Sequence, residues 1–406
     1  MGLVIKLEDI RELFPAISKF RAYLDTASVG LVPRTVHKAL VDVLDVLASE
    51  PLIEELVDSY VSHARSEIAN LINASPEEIA FTTRTTEGLK NVLRSMNVGP
   101  GDTVVAVDMD FPTVTSLVES LCRVRGCRVR VVKGKGVYTT EDLRKAIDND
   151  VKLVVISSVQ WISGWKVDLK ELSNEVHNRG ATIVVDGVQH VGALSLDVRA
   201  EGVDVLCVGG EKWMLNPYIG TGFMYIRREL LENLEPYPYG IRNRETPAGG
   251  WGAYWVDPNK GPWTLPPVAK NAQKFEWGGG LNLFVVALLE SARTINRLGV
   301  GSIENRVLEL KNYLCDRLLS EGFTIYGYAE NRKHWSGITL VKTGLSYDKE
   351  IELVESLREK KVVVSRRGAL GVSGVRVSTH FYNSKEDIDI FIEELKRGVK
   401  SFGQAS

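Results

Sequence analysis

From about residue 76 the chain alternates short apolar runs with amphipathic stretches of helical period. The runs are EIAFTT (78–83), TVVAVD (103–108), RVRVV (128–132), KLVVISS (152–158), TIVVDG (182–187), DVLCVGG (204–210) and GFMYIR (222–227). Most are rich in Val and Ile and nearly continuous, the pattern of strands buried on both faces. Between them lie TEGLKNVLRSM, TVTSLVESLCRV, TTEDLRKAIDN and LKELSNEVHNRG, the last closed by Arg179-Gly180, a helix stop. Strands and helices alternating at this spacing predict a seven-stranded, mostly parallel α/β sheet with right-handed crossovers. The seventh run follows the sixth too closely for a helical crossover and is expected to be antiparallel.

Residues 228 to 280 break the pattern. Pro, Gly and Trp are dense there, and the aromatic content argues for long ordered loops. Long helical periodicity returns from 281 and breaks near Gly299–Gly301. The remaining runs, GITLVKT, EIELVESLREK, VVVSRR, GVRVSTH and KEDIDIFIEELKRGV, predict a small α+β unit. The organisation expected is an N-terminal segment (1–20) packed on the small domain, a large α/β domain (21–282) and a small C-terminal α+β domain (283–406).

Composition narrows the class. Apolar residues make up 44% and charged residues 25% of 406, with a net charge of −2, ordinary for a globular protein. That balance predicts neither a nucleic-acid nor a membrane partner. No apolar stretch approaches the ~20 residues of a membrane span, and MGLVIKLEDIREL is too charged for a signal peptide. Four cysteines, Cys122, Cys127, Cys207 and Cys315, show no CxxC or disulfide-dense spacing. A reducing, cytoplasmic setting is expected, with the Cys122/Cys127 pair structural.

In an open parallel sheet, ligands bind beyond the carboxyl ends of the strands. The residues just past the runs are Arg84, Thr85 and Thr86, Phe111 in MDFPT, Trp161 in VQWISG, Asp186 and Gln189 in DGVQH, and Glu211–Lys212. Singly, each has a plain explanation: Asp186 or Thr85 as a helix cap, Phe111 as core. Together they fit one task. A lysine amine condenses with an aldehyde; a buried carboxylate keeps a pyridine nitrogen protonated. A helix N-terminus takes a phosphate, and an aromatic stacks on a flat ring. The ligand with those parts is pyridoxal phosphate.

The segments YLDTASVGLVP, TTRTTEGLKNVL, DGVQHVG, EKWML, KFEWGGGLN and GVRVSTHFYN occur in the order expected of class V aminotransferases, which the chain resembles over nearly its whole length. The resemblance implies the fold type I pyridoxal phosphate architecture. It implies that Lys212 forms the aldimine, that Asp186 partners the pyridinium nitrogen, and that Gln189 donates to the ring's phenolic oxygen. Thr85, Thr86 and Gly279 would cradle the phosphate, and Phe111 would stack on the ring. Arg376 would grip the substrate α-carboxylate with its two-pronged fork, with Ser28 and Trp161 lining the substrate side. The plain alternative for Arg376 is a surface ion pair worth ~0–1 kcal/mol. No metal is implied.

Departures from the family pattern are equally specific. Cysteine desulfurases, members of the same family, carry Ser-x-His before the lysine, where this chain has Gly209 and Glu211. A carboxylate beside a phosphate dianion repels it, so Glu211 is expected to point away or to be paired with a cation, and Arg84 or a second subunit to supply positive charge. Gly278–Gly279 replace a Gly-Thr, and Trp161 an asparagine. VVVSRRGALGVSGVRVS contains no cysteine to serve as a persulfide-forming nucleophile, so desulfurase chemistry is set aside. The expected activity is that of an enzyme acting on a small amino acid, most simply an aminotransferase. A lyase or epimerase of the same family and a non-catalytic binding protein remain as alternatives. An apolar or aromatic substrate is hinted at by Trp161, Trp251 and the 236–265 loops, and KFEWGGGLN implies a homodimer with sites at the interface.

Overall fold

The computed structural model describes residues 7–50, 54–236, 239–261, 263–276 and 283–404. The seven runs become β1 (Ile79–Thr82), β2 (Thr103–Val107), β3 (Arg128–Val132), β4 (Val151–Ser157), β5 (Thr182–Asp186), β6 (Val205–Gly209) and β7 (Gly222–Ile226) of one sheet. Its order is β1-β7-β6-β5-β4-β2-β3. Neighbours pair in parallel except β7, which runs antiparallel to β1 and β6 as its short connection requires. Alternate residues enter opposite cores. Val105, Val154, Val185, Leu206 and Phe223 join the core on one face; Val104, Val155, Val184, Val205 and Met224 join the other. Side chains alternate across a strand, so a run apolar throughout can be buried on both sides.

The small domain carries β8 (Thr324–Tyr326), β9 (Ile338–Lys342), β10 (Ser365–Ala369) and β11 (Val372–Ser378) in an antiparallel sheet ordered β10-β11-β9-β8. Its core comprises Leu310, Leu314, Leu318, Leu353, Val377, Phe391 and their neighbours.

Several expectations shift. The helix Leu283–Leu298 places Val285, Leu288, Leu289 and Ile295 in the core that also holds Ile68 and Ile72 of the helix Glu54–Ile72. In packing, the change of core therefore falls inside the next helix (Val300–Ser320), between Val307 and Leu310, not at residue 283. At the other end, Ala22–Tyr23 pairs in parallel with Val362–Val363 of the small domain. Upstream, the Arg11 guanidinium meets Asp387 at 2.9 Å, while Phe14 packs on Phe381 and Tyr382. Helices Arg34–Ser49 and Glu54–Ile72 carried no expectation, and TTEDLRKAIDN is helical only over Thr140–Arg144. Cys122 and Cys127 form a disulfide across the turn at Gly126 (φ 77), which their spacing had not suggested. Among the described residues no helix is long and apolar enough to cross a membrane.

Candidate active site

Beyond the carboxyl ends of β2, β4, β5 and β6 lies a cavity of about 300 Å³. Its wall includes Ser28, Thr85, Thr86, Phe111, Trp161, Asp186, Gln189, Lys212 and Arg376. The site residues named from the sequence are therefore in one place, except Trp251, which is not in the wall, and Gly279, which lies outside the described residues. The register explains part of the convergence: Ser157, Asp186 and Cys207 are paired across β4, β5 and β6, so the three strands end almost level.

Lys212 follows β6, and its Nζ lies 5.5 Å from the centre of the Phe111 ring. Burial pulls its pKa below the ordinary lysine value. Arg376 and Arg367 add to that, against the opposite pull of Asp186 and Glu211. Asp186 is buried, and its Oδ1 accepts from the Val188 N–H at 2.9 Å. Burial raises its pKa to about 7; Asp110 adds to the rise, while the Val188 bond and Lys212 oppose it. Phe111 meets Trp161 edge to face, 5.4 Å between centres at 86°, and the Trp161 indole donates to Met109 O at 3.1 Å. Gln189 Nε2 donates to Ala27 O at 3.0 Å, and its Oε1 accepts from the Trp213 indole at 2.7 Å. One N–H of the Gln189 amide is left for a ligand.

Arg376 belongs to β11 and is 2% exposed, which disposes of the surface-pair alternative. Its Nη1 donates to Trp161 O (2.9 Å), Nη2 to Ser28 Oγ (2.6 Å), and Nε to Ser365 Oγ (3.3 Å). Asp25 is its acidic partner, 3.4 Å from Nη2. Burial, with Arg367 nearby, lowers the Arg376 pKa to about 10.

At the opposite end the helix Thr85–Ser95 points its N-terminus at the cavity. Its first N–H groups have no intrahelical acceptor and, with the Thr85 and Thr86 hydroxyls, suit an anion. Thr86 Oγ1 lies 3.5 Å from Thr113 Oγ1. Arg84 stacks on Tyr218, 4.3 Å from the ring centre. Glu211 corrects an expectation. Its carboxylate lines the cavity, its Oε2 is buried with no hydrogen-bond partner, and no cation among the described residues of this chain pairs with it. A Cβ on Gly209 would lie 2.7 Å from that oxygen and 2.9 Å from Thr85 Oγ1. The missing side chain at 209 is thus the space Glu211 folds into.

Reasoning from sequence missed Asp110, Asp25, Thr113 and Tyr218. Asp110 is buried, accepts from Ser157 N (2.9 Å), the Ser157 hydroxyl and Phe111 N (2.7 Å), and is pushed up in pKa chiefly by burial. Its place two residues past a strand-end Asp was a usable signal. Trp251 and the described residues of the 236–265 loops, expected as lining, are not in the wall; Trp251 packs on Tyr254 and Trp255 instead.

Asp186 opposite Lys212, the aromatic at Phe111, the threonine-edged helix start and an arginine facing the same space fit pyridoxal phosphate. Only the orphaned Glu211 oxygen at the phosphate end argues against it. The family model for class V aminotransferases matches residues 22–391, so the chain belongs to that family of pyridoxal phosphate-dependent enzymes. It is 26% identical to an uncharacterized aminotransferase of Bacillus subtilis, over 96% of this chain and 97% of the relative. It is 27% identical to a probable cysteine desulfurase of Methanothermobacter thermautotrophicus, over 97% and 98%. Among solved structures, the apo cysteine desulfurase of Thermococcus onnurineus superposes with a TM-score of 0.84 at 23% identity, covering 99% of this chain and 100% of that one. A C-DES variant with glycine covalently linked to its PLP cofactor gives 0.83 at 19%, covering 96% and 98%. These likenesses place the chain in the fold of such enzymes.

Proposed function

We propose that this chain uses pyridoxal phosphate to transfer the amino group of an amino acid to a keto acid. The observation that carries the reading is a buried amine of depressed pKa, Lys212, sharing one cavity with Asp186 and Arg376. When bound, the cofactor supplies an electron sink for the bonds at the substrate's α-carbon. Lys212 Nζ would hold the cofactor's aldehyde carbon, and its amine, when free, would take up the substrate's α-proton. A lysine serves as a base near neutral pH only when its pKa falls well below ~10, and burial beside two arginines pushes it in that direction. Asp186 would hold the proton on the ring nitrogen, Phe111 would support the ring face, and the Thr85–Thr86 helix start would receive the phosphate.

A desulfurase reading lacks its nucleophile. Cys207 and Cys315 are fully buried in a strand and a helix, Cys122 and Cys127 are joined, and no cysteine lines the cavity. Incubating holo-protein with single amino acids and a keto-acid acceptor tests the proposal. A new amino acid formed from the acceptor supports transfer. Ammonia with a keto acid and no acceptor dependence supports elimination, and racemised substrate supports epimerisation. A homodimer is proposed with it. Tyr218, in the cavity wall and under Arg84, is 62% exposed and its neighbour Ile219 53%, apolar side chains at the mouth of the site that a second copy would cover. A fully active monomer by light scattering would refute the dimer.

A further inference from the structure

The phosphate end of the cavity carries two unmatched charges. Arg84 precedes the helix Thr85–Ser95, its guanidinium stacked on Tyr218, and no acid among the described residues pairs with it. Glu211 stands in the same wall with a buried Oε2 that accepts from nothing. The backbone beneath it is pinned: Gly30 N–H donates to Glu211 O at 2.8 Å, and Leu215 N–H closes a turn on Lys212 O at 3.2 Å. A Cβ on Gly209 would meet both the Glu211 oxygen and the Thr85 hydroxyl, so these two flank one small space. The remaining charges of the wall are Asp186, Lys212, Arg367 and Arg376. Both arginines are tied to Ser28, whereas Glu211 is felt by the other two, raising the pKa of Asp186 and of Lys212. Glu87, in the first turn of the helix, is occupied by the N–H and hydroxyl of Thr83.

A buried acceptor without a donor is costly, and a ligand that brings its own donor removes the cost. A phosphate dianion offers only acceptors. A phosphate monoester gives up its second proton near pH ~6, and before that it has one O–H to donate. The charge balance points the same way. Arg84 and Glu211 offset one another, which leaves a helix N-terminus worth about half a positive charge, better matched to one negative charge than to two. Two anions in contact cannot both stay ionised, so the pair keeps a proton and titrates as a unit.

We infer that this chain binds the phosphate of pyridoxal phosphate with one proton more than it carries in water at neutral pH, and that the proton is shared between the phosphate and the Glu211 carboxylate. This rests on the cofactor reading of the cavity. The proton comes from water as the ligand enters, and no bond to phosphorus or carbon changes. The pair then forms a short, charge-assisted O–H···O contact where two anions would repel, and Arg84 supplies donors to the same group. Glu211 thereby makes retention of the cofactor depend on pH, a property that neither Arg84 nor the helix start confers.

The test titrates apo-protein at about pH 8 with pyridoxal phosphate and with pyridoxal, by calorimetry in buffers of different ionisation enthalpy, which counts the protons exchanged. The unaltered protein should take up about one proton more with pyridoxal phosphate than with pyridoxal. In Glu211→Gln that excess should vanish. Holding a proton above its pKa costs about tenfold in affinity per pH unit. The gain in pyridoxal phosphate affinity from Glu211→Gln should therefore be absent near about pH 5.5, several-fold at about pH 7, and larger again at about pH 8.5. Arg84→Ala should weaken pyridoxal phosphate by about tenfold or more and leave pyridoxal unchanged, with the excess proton still taken up. Equal proton uptake for the two ligands in the unaltered protein overturns the inference. So does a gain in Glu211→Gln that is the same at all three pH values, which would mean that Glu211 repels the phosphate or meets a cation of a second copy. If the unaltered protein binds neither ligand, the cofactor reading falls and takes this inference with it.

Discussion

Asp186 has opposite consequences with and without cofactor, and the cofactor-free protein exposes the difference. Its carboxyl sits at about 7, against an ordinary 3.8, chiefly because burial penalises the anion. The folded state therefore binds a proton that the unfolded chain has already lost. The stabilisation is fully present below about pH 4 and disappears as pH rises through about 7. A shift of about three pKa units at ~1.36 kcal/mol each corresponds to about 4 kcal/mol in all, of which about 3 kcal/mol is lost between pH 5 and pH 8.5. For cooperative unfolding of a chain this long, with an entropy near 2.1 cal/mol/K per residue, that is a fall of about 3 °C in melting temperature. Asp186→Asn removes the titration and keeps the shape and the acceptor for Val188 N–H. Thermal melts of apo-protein at the two pH values should show the variant gaining about 3 °C on the unaltered protein at pH 8.5 relative to pH 5. The same variant should bind pyridoxal phosphate more weakly and lose activity by orders of magnitude, since the ring nitrogen no longer keeps its proton. If Asp186→Asn apo-protein loses ground at pH 8.5, the carboxylate is held ionised by Lys212, and the burial argument is wrong.

Three further outcomes follow from the same cavity. Borohydride reduction of holo-protein should fix pyridoxyl on the peptide containing Lys212; label on any other lysine defeats the assignment. Arg376→Lys cannot satisfy Trp161 O, Ser28, Ser365 and Asp25 together, so it should destabilise the apo-protein by about 3 kcal/mol, or about 3–4 °C. An unchanged melt would show those bonds to be idle. Glu211→Gln removes a carboxylate with a buried, unpartnered oxygen from the phosphate end. It should tighten pyridoxal phosphate binding several-fold while leaving pyridoxal, which has no phosphate, unaffected; weaker binding in fluorescence titration would mean that Glu211 helps to hold the phosphate.

The seven strands, the burial on both faces of all but the edge strand Arg128–Val132, and the antiparallel seventh were legible because each is a local property. An apolar run of four to seven residues can be hidden only between two layers, and a short connection cannot reverse into a parallel neighbour. The strand-end residues were legible for the same reason: topology sends whatever follows a parallel strand to one rim. The helices at 34–49 and 54–72, and the packing of 283–298 into the core that 54–72 also joins, were not. Which core an amphipathic helix joins depends on the surface it meets, and its own sequence does not record that surface. Nor could sequence join Arg367 and Arg376 through Ser28. Both lie on adjacent strands of one sheet, and only the fold brings Ser28, from more than 330 positions away, between them. Glu211 shows the same limit: its type announced a conflict with phosphate, but its direction depended on the empty space over Gly209, a fact of packing that one-dimensional pattern does not contain.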